Sequence, residues 1–223
     1  MNVGTRNRRK VISVYDIALN PDFLRKLEKT EVTTGLPLSV FKMSKDEMRF
    51  QVKKVLENES VSHWNHLDQV YPGIFIGDEH AAKDIDNLKR LGITHILNAA
   101  FVSSRTNCYD HGIVDTDPDW YSCREYNCEF LGIDAIDNPE FDLSQFFEDA
   151  ADFIESARCS NGKVLVHCFV GLSRSAALVI VYLMIKKNMR AKDAIALIRE
   201  KRAVCPNTGF VDQIIDLELQ LRG

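Results

Sequence analysis

The 223-residue sequence predicts an α/β fold, in which a mostly parallel central sheet is flanked by helices on both faces. Apolar runs with strand character lie at residues 94–98, 128–135 and 164–166, and residues 143–158 between the last two have the periodicity of a helix. Parallel strands need such a crossover, whereas antiparallel strands can be joined by a tight turn. The alternation of strands and helices therefore favours a largely parallel sheet.

The remaining segments continue this alternation. Residues 70–77 are predicted as a strand, and residues 81–91 as an amphipathic helix that ends at Gly92. Residues 101–125 are polar with little periodicity, so we expect a surface excursion there. Two amphipathic helices are predicted to close the chain, at residues 191–202 and 209–221.

The chain divides into an extension and a main domain. Residues 1–10 carry a basic cluster that is compatible with an import signal or a surface-binding arm and is more typical of a solvated, partly disordered terminus, whereas residues 11–43 show no recognisable chemistry. Residues 1–43 are therefore predicted as an extension that is partly disordered or regulatory. Ser44 and Glu47 form a capping-box pattern that starts a helix, with Met48 on its apolar face. We expect this leading helix to pack on the main domain, residues 44–223, or beside its cleft.

Composition excludes several classes of function. The net charge of −4 gives no reason to expect nucleic-acid binding, and no apolar run reaches the length that spans a membrane. The six cysteines show no paired metal-binding spacing and no disulfide framework, so no metal is expected. Free thiols without an apolar signal core predict a cytoplasmic protein, and a nuclear location is also compatible.

One stretch, residues 163–187, is predicted as a buried strand that ends at His167 and Cys168, a short loop, and a long apolar helix that Arg174 opens. The N–H groups of a first helical turn lack helical partners and, with the helix dipole, bind anions. Arg174 can hold two phosphate oxygens in its planar fork, and the same positive field stabilises Cys168 as a nucleophilic thiolate. The residues expected to bind the phosphate are Phe169, Val170, Gly171, Leu172, Ser173 and Arg174.

The pattern His167-Cys168, five residues, Arg174-Ser175 resembles the signature of the cysteine-dependent protein tyrosine phosphatase superfamily, and the chain is most similar to its atypical dual-specificity phosphatases. The resemblance continues through VYPGIFIGD, LGITHILNAA, LGIDAIDNPEFDLS and CPNTGF. A bare Cys-x5-Arg pattern also admits a buried, inert cysteine or a rhodanese-like sulfur carrier. The wider match argues against both alternatives.

The resemblance implies a general acid. Displacement of an alkoxide or phenolate by a thiolate needs a proton on the leaving oxygen. Asp137, in GIDAIDNPEF, matches the aspartate of the family's general-acid loop. Asp134 is a rival that does not match the motif, and an aspartate that only shapes the turn before Pro139 is the structural alternative. Ser175 can donate a hydrogen bond to Cys168 and stabilise its thiolate as a leaving group.

Three residues are expected to support the site. His167 is expected to hydrogen bond the backbone and hold the loop, rather than act as a base or metal ligand. Arg202 matches a position where relatives carry a basic residue that can meet a second phosphate; the alternative is an exposed charge at a helix end. Asn207, in the PNTGF segment, is expected to be structural. Leu172 stands where at least one close relative has an aromatic residue, so no ring contact to substrate is expected.

The resemblance implies a protein phosphatase that hydrolyses phosphotyrosine and phosphoserine/threonine through a phosphocysteine intermediate, without a metal or organic cofactor. Its expected partners are phosphorylated proteins, among which kinases are candidates, and a homodimer is compatible with the sequence. Two other classes remain open. One is a pseudophosphatase that binds phosphoproteins without turnover, although Cys168, Arg174 and Asp137 are all present. The other is a phosphatase of RNA 5′-ends or phospholipids, although the loop carries no basic residue before Arg174.

Overall fold

The predicted fold class is confirmed. The computed structural model describes residues 43–58, 65–102 and 112–222. In this part of the chain, five strands form one mixed sheet in the order β1-β2-β5-β3-β4. Only the β1–β2 pair is antiparallel, and the other three pairs are parallel. The strands are β1 (Leu67–Tyr71), β2 (Ile74–Gly77), β3 (His95–Asn98), β4 (Glu129–Gly132) and β5 (Val164–His167).

Helices occupy most of the chain between and after these strands. A 3₁₀ turn, Ser144–Phe146, precedes the fifth of them. No helix among the described residues is long and apolar enough to cross a bilayer. In chain order the helices are α1 (Lys45–Glu57), α2 (Glu79–Lys83), α3 (Ile85–Leu91), α4 (Pro118–Ser122), α5 (Phe147–Cys159), α6 (Arg174–Lys187), α7 (Ala191–Arg199) and α8 (Thr208–Arg222).

The first predicted strand, residues 70–77, is wrong in its extent. The segment is the second half of a hairpin, because a turn at residues 72–73 separates β1 from β2. Gly73 has a φ of 77°, in the left-handed region that glycine enters without steric cost. Reversal of the chain at this turn puts β1 at the sheet edge and β2 beside β5.

The helix predicted at residues 81–91 is two helices. Asp78 caps α2 by accepting a hydrogen bond from the Ala81 N–H at 2.9 Å, and Asp84 caps α3 by accepting one from the Asn87 N–H at 3.1 Å. Two aspartate caps in succession interrupt one helical pattern with a second start. Gly92 ends α3 in the left-handed conformation, with a φ of 69°, as predicted.

Two predictions for the far side of the sheet need correction. The strand predicted at residues 128–135 is shorter, and it is an edge strand of the sheet rather than a central one. Residues 101–125 are not only a surface excursion, because Val114 and Tyr121 are buried and the Tyr121 hydroxyl donates to the Ala82 carbonyl at 3.0 Å. Residues 103–111 of this segment lie outside the described residues.

The centre of the molecule is β5 and the helix that follows it. Every residue of β2, β3 and β5 is buried, which requires cover on both faces of the sheet. Helix α6 is buried from Arg174 to Met184, so it runs through the core rather than over it. Gly77, Asn98 and His167 lie in register at the carboxyl ends of the three central strands. In open parallel sheets this edge is where ligands bind.

The leading helix begins as predicted. The Ser44 hydroxyl accepts a hydrogen bond from the Glu47 N–H at 3.2 Å, and Met48 and Val52 are buried. Helix α1 packs against α7 and α8 rather than against the sheet. The Arg49 guanidinium also donates to the Asp212 carboxylate of α8 at 2.9 Å.

Candidate active site

The loop between β5 and α6 surrounds the sulfur of Cys168. Cys168 directly follows the central strand and is 1% exposed. Its Sγ atom accepts a hydrogen bond from the Gly171 N–H at 3.2 Å and lies 3.3 Å from the Ser175 hydroxyl. The Gly171 N–H therefore points at the sulfur, and the Ser175 hydroxyl lies within hydrogen-bond distance of it. The thiol is thus at the floor of the loop, with Ser175 from the first turn of α6 beside it.

The loop's carbonyl groups all point away from this sulfur. They accept hydrogen bonds from the Glu79 N–H, the Cys205 N–H and the guanidinium of Arg202. Across a trans peptide the C=O and the following N–H point in opposite directions, so the N–H groups face the side where Gly171 meets Cys168. The carbonyls concerned are those of Phe169, Val170, Gly171 and Leu172.

These inward N–H groups are free to bind an anion. Among the described residues, no hydrogen bond uses the backbone N–H of Phe169, Val170, Leu172, Ser173 or Arg174. Gly171 allows the turn because its φ is 77° and because a Cβ there would lie 2.5 Å from the Gly77 carbonyl oxygen. Successive N–H groups around a concave backbone at a helix N-terminus form an anion nest.

Arg174 supplies the positive charge of the site. It is 5% exposed, and its Nη1 and Nη2 atoms donate to the carbonyls of Ala135 and Gly112 at 3.0 and 2.9 Å. Its Nε atom is buried and meets no hydrogen-bond partner within the described ranges. A guanidinium has five N–H donors, and these two bonds use two of them. The carbonyls therefore hold the group in place and leave donors for an oxyanion.

Asp137 lies beside the loop, held by two hydrogen bonds to one of its oxygens. Oδ1 accepts from the Ser173 hydroxyl at 2.7 Å and from the Asn207 side-chain amide at 2.8 Å. Oδ2 is 3.8 Å from Arg174 Nε, and 37% of the side chain is exposed. Of the two aspartates considered from the sequence, Asp137 is thus the one that hydrogen bonds the loop. Asp134 is exposed and precedes the buried Ala135.

Helix α8 fixes the segment that carries Asp137. Asn207 caps this helix through its side-chain oxygen, which accepts from the Phe210 N–H at 3.0 Å, and its own N–H donates to the Ser173 hydroxyl at 3.1 Å. Gly209 packs so closely on the segment that a Cβ there would lie 1.9 Å from the Pro139 carbonyl oxygen. Asn207 therefore caps α8, contacts Ser173 and also contacts Asp137.

Arg202 is neither exposed nor at the end of a helix. It is 3% exposed and lies beyond α7, which ends at Arg199. Its Nη1 atom is 2.7 Å from the Asp68 carboxylate, and its Nε donates to the Gly171 carbonyl at 2.8 Å. The exposed helix-end alternative is therefore wrong. Because the guanidinium binds the outer side of the loop, its contacts here are to the protein and not toward the sulfur.

His167 is buried and neutral. Burial lowers its pKa to about 3, and the nearby charge of Arg174 acts in the same direction. The nearby backbone of Cys168 opposes this lowering of the pKa, but neither ring nitrogen has a hydrogen-bond partner within the described ranges, so the backbone hydrogen bond expected of His167 is not found. A neutral imidazole below the strand end adds no charge near the sulfur.

Several residues that hold the site together carry no recognisable pattern in the sequence. Asp68 pairs with Arg202, although the two are 134 positions apart. Asn98 donates to the Val114 carbonyl at 2.8 Å and so holds the segment from which Gly112 reaches Arg174. Only the position of Asn98 at the end of a buried strand could have indicated a role, since buried amides must be hydrogen bonded.

The family model of the dual specificity phosphatase catalytic domain matches residues 74–220. The chain belongs to this family. It is 44% identical to dual specificity protein phosphatase 13B of Homo sapiens over 158 residues, which are 70% of this chain and 75% of that protein. As a member of the dual-specificity phosphatases, it is a protein phosphatase of the protein tyrosine phosphatase superfamily.

Solved structures with the same fold include one from mouse and one from human. A mouse putative dual specificity phosphatase, complexed with zinc tungstate, is 26% identical and has a TM-score of 0.58, covering 74% of this chain and 94% of that one. The human tyrosine phosphatase-like serine/threonine/tyrosine-interacting protein is 31% identical, with a TM-score of 0.56, covering 70% and 98%.

Proposed function

We propose that this phosphatase hydrolyses phosphotyrosine and phosphoserine/threonine in proteins through a phosphocysteine intermediate at Cys168. The observation that carries the proposal is the loop of inward N–H groups around the buried sulfur. It provides a nucleophile and an oxyanion site in one place, beside the donors of Arg174. A relative with 26% identity was crystallised with tungstate, a tetrahedral oxyanion of the same shape as phosphate.

In the first step, the Cys168 thiolate attacks phosphorus and the bond to the side-chain oxygen breaks. Asp137 gives its proton to that oxygen, and Arg174 and the loop N–H groups stabilise the charge on the remaining oxygens. Since Ser173 and Asn207 occupy Oδ1 of Asp137, the proton is carried by Oδ2, the oxygen nearer Arg174. The Asp137 side chain is 37% exposed, so the leaving oxygen of a bound substrate can approach its carboxyl.

In the second step, the ionised Asp137 accepts a proton from water, whose oxygen attacks phosphorus while the sulfur–phosphorus bond breaks. Ser175 lies 3.3 Å from Sγ and donates to the sulfur as it leaves with a negative charge. Phosphate is released and the thiolate returns. The other phosphate-loop residues bind through their backbone, so Leu172 needs no ring contact.

Apolar side chains at the mouth of the site support a protein substrate. Ile136 precedes Asp137 and is 51% exposed, while Phe169 and Val170 of the loop are 37% and 43% exposed. Exposed apolar groups around a polar centre mark an interaction surface. We infer that they contact the residues that flank the phosphorylated side chain. An RNA end or lipid headgroup would favour basic side chains at these positions instead.

We further propose that residues 44–223 are the catalytic domain, with α1 as its leading helix, and that residues 1–43 are an extension outside it. The family match begins at residue 74, whereas α1 contacts α7 and α8 of the same unit. Phosphoproteins, including kinases, in the cytoplasm or nucleus are the proposed partners. We do not propose that Arg202 binds a second phosphate, because its guanidinium donates to the Gly171 carbonyl and the Asp68 carboxylate.

The test combines turnover with trapping. The full chain and its Cys168→Ser and Asp137→Ala variants are assayed on phosphotyrosine, phosphothreonine and doubly phosphorylated peptides, a phosphoinositide and a 5′-phosphorylated RNA. The peptides should be turned over, and rapid acid quench with labelled substrate should trap phosphate on Cys168. Cys168→Ser should lose both turnover and label while still binding peptide. Asp137→Ala should slow peptides far more than activated aryl phosphates, because only poor leaving groups need the proton.

Three results would overturn the proposal. Turnover by Cys168→Ser within tenfold of the wild-type rate would exclude Cys168 as the nucleophile. Preference for RNA or lipid over every peptide would replace the substrate class. Peptide binding without turnover by the wild-type chain would favour the phosphoprotein-binding pseudophosphatase instead.

A further inference from the structure

Two histidines and a buried aspartate meet at the open end of the β1–β2 hairpin, beside the carboxyl end of β2. His66 precedes β1, and Asp78 and His80 follow β2, so the hairpin brings them together. One ligand atom from each residue lies within 4.8 Å of the others, and the two imidazole rings have centroids 4.7 Å apart. Asp78 is buried, whereas both histidines are exposed. None of the three takes part in the phosphatase mechanism.

We propose that His66, Asp78 and His80 bind a Zn²⁺ ion. Two imidazole nitrogens and one carboxylate oxygen are a ligand set that zinc uses in proteins, with one coordination position left for water. Asp78 is already oriented for this, because its Oδ1 accepts from the Ala81 N–H at 2.9 Å and its Oδ2 faces His66. A ligating carboxylate that is itself hydrogen bonded is the usual arrangement at metal sites.

Only small side-chain movements would complete the site. The His66 Nδ1 atom is 2.6 Å from Asp78 Oδ2, which is a hydrogen bond. Ligands about 2.0–2.1 Å from a tetrahedral zinc ion lie roughly 3.3 Å apart, so this pair must separate by about 0.7 Å. The His66 side chain is 59% exposed, and His80 lies on the exposed side of α2, so both rings can rotate while Asp78 stays fixed.

A cavity beside the cluster leaves room for the fourth ligand. It has a volume of about 350 Å³ and is lined by both histidines and by the polar residues Asn65, Asp84 and Asn87. This is ample space for water, which needs two to four polar partners to be held. The arrangement of three protein ligands and one exchangeable position matches an open rather than a closed zinc site.

The proposed ion is separate from the sulfur of the active site. The turn that carries Asp78 lies on the outer side of the loop, where the Glu79 N–H donates to the Phe169 carbonyl at 3.1 Å. The loop's N–H groups and Cys168 are on the other side of those peptide groups. A metal here would therefore not occupy the oxyanion site, which distinguishes it from zinc that binds an active-site thiolate.

The experiment is isothermal titration of the metal-free full chain with ZnCl₂, in the wild type and in Cys168→Ser. We expect one zinc site that Cys168→Ser leaves unchanged. His80→Ala should weaken that site at least tenfold, because it removes one of three protein ligands. Asn87→Ala is the matched control, because Asn87 lines the same cavity but is not one of the three proposed ligands. The zinc affinity of this variant should equal that of the wild type.

A second measurement keeps the test independent of folding. Co²⁺ in place of zinc should give the visible spectrum of a tetrahedral site with nitrogen and oxygen ligands, lost in His80→Ala and in His66→Gln, while far-ultraviolet circular dichroism stays unchanged. Equal zinc affinity in the wild type and His80→Ala would overturn the proposal. Loss of the site in Cys168→Ser, or a cobalt–thiolate charge-transfer band, would assign the metal to a cysteine instead.

Discussion

Replacement of Arg202 by methionine tests the contacts on the outer side of the phosphate-binding loop. Methionine keeps much of the apolar stem but removes the hydrogen bonds to the Gly171 and Val170 carbonyls and the ion pair with Asp68. The side chains of Arg202 and Asp68 are 3% and 12% exposed, so the pair is screened little by water. The substitution would leave the Asp68 carboxylate buried without its cation.

The size of the effect follows from that burial. Removal of one partner of a buried ion pair costs roughly 3–5 kcal/mol, because the remaining charge is uncompensated. For a domain of this size, each kcal/mol lowers the melting temperature by about 2–4 °C, so we expect a decrease of roughly 6–20 °C. The carbonyls of the loop also lose their donor, so kcat/KM should fall at least tenfold at a temperature where the variant is folded.

Urea unfolding followed by circular dichroism gives the free energy of unfolding, and hydrolysis of a phosphotyrosine peptide gives kcat/KM. Lys201→Met is the control, because this exposed neighbour carries the same charge on the same segment. The double variant Arg202→Met/Asp68→Asn should be less destabilised than the sum of the two single variants, by about 0.5–3 kcal/mol.

An Arg202→Met variant that unfolds with the same free energy as Lys201→Met and retains normal kcat/KM would contradict this prediction. Loss of activity together with full recovery by Arg202→Lys would show that only charge matters. In that case the two carbonyl contacts would not hold the loop.

Three further predictions follow from the site. Arg174→Lys should lose at least tenfold in kcat, or about 1.4 kcal/mol, because it keeps the charge without the fork, and orthovanadate should inhibit it far less than the wild type; normal vanadate sensitivity would contradict this. Asn207→Ser keeps an oxygen to cap α8 but loses the hydrogen bond from the side-chain amide to the Asp137 carboxylate. Turnover of peptides should therefore fall more than turnover of aryl phosphates, with the free energy of unfolding nearly unchanged. The pKa of His167 is lowered from 6.5 to about 3 in the folded chain. Between these pH values the unfolded chain binds a proton that the folded chain does not, so the free energy of unfolding decreases as the pH is lowered, by about 2 kcal/mol from pH 7 to pH 5. Urea unfolding at pH 7 and pH 5 should show a smaller loss in His167→Gln, and equal losses would refute the assignment.

The sequence predicts the part of the site that is contiguous in the chain. A buried strand, Cys168, a glycine-containing loop and the start of α6 follow one another within a dozen residues, so local patterns suffice to place them. The turn at Pro72 and Gly73 is also a local signal, because a Pro-Gly pair marks a turn, and it divides the segment predicted as one strand.

Contacts between distant segments could not be predicted in this way. The Arg174 guanidinium is held by the carbonyls of Gly112 and Ala135, and every residue has such a carbonyl, so no side-chain pattern marks them. For Arg202 the sequence leaves open a second-phosphate residue or an exposed charge at a helix end, and neither interpretation predicts a buried ion pair. Its burial depends on Asp68, which only the completed sheet brings next to it.

The dependence of Asp137 on α8 has a consequence for the order in which catalysis becomes possible. The phosphate-binding loop is held from its outer side by Arg202 and the Cys205 N–H. Asp137 is held by Asn207, which lies 70 positions later in the chain, and by the packing of Gly209 on Pro139. Helix α8 also supplies Phe210, Ile214 and Ile215 to the core and packs against α6, so a chain without it would lose both the anchor of the proton donor and the packing around the phosphate-binding helix. During synthesis from the N-terminus, the chain therefore becomes an efficient catalyst only after α8, the last of the described helices, has been made and has docked.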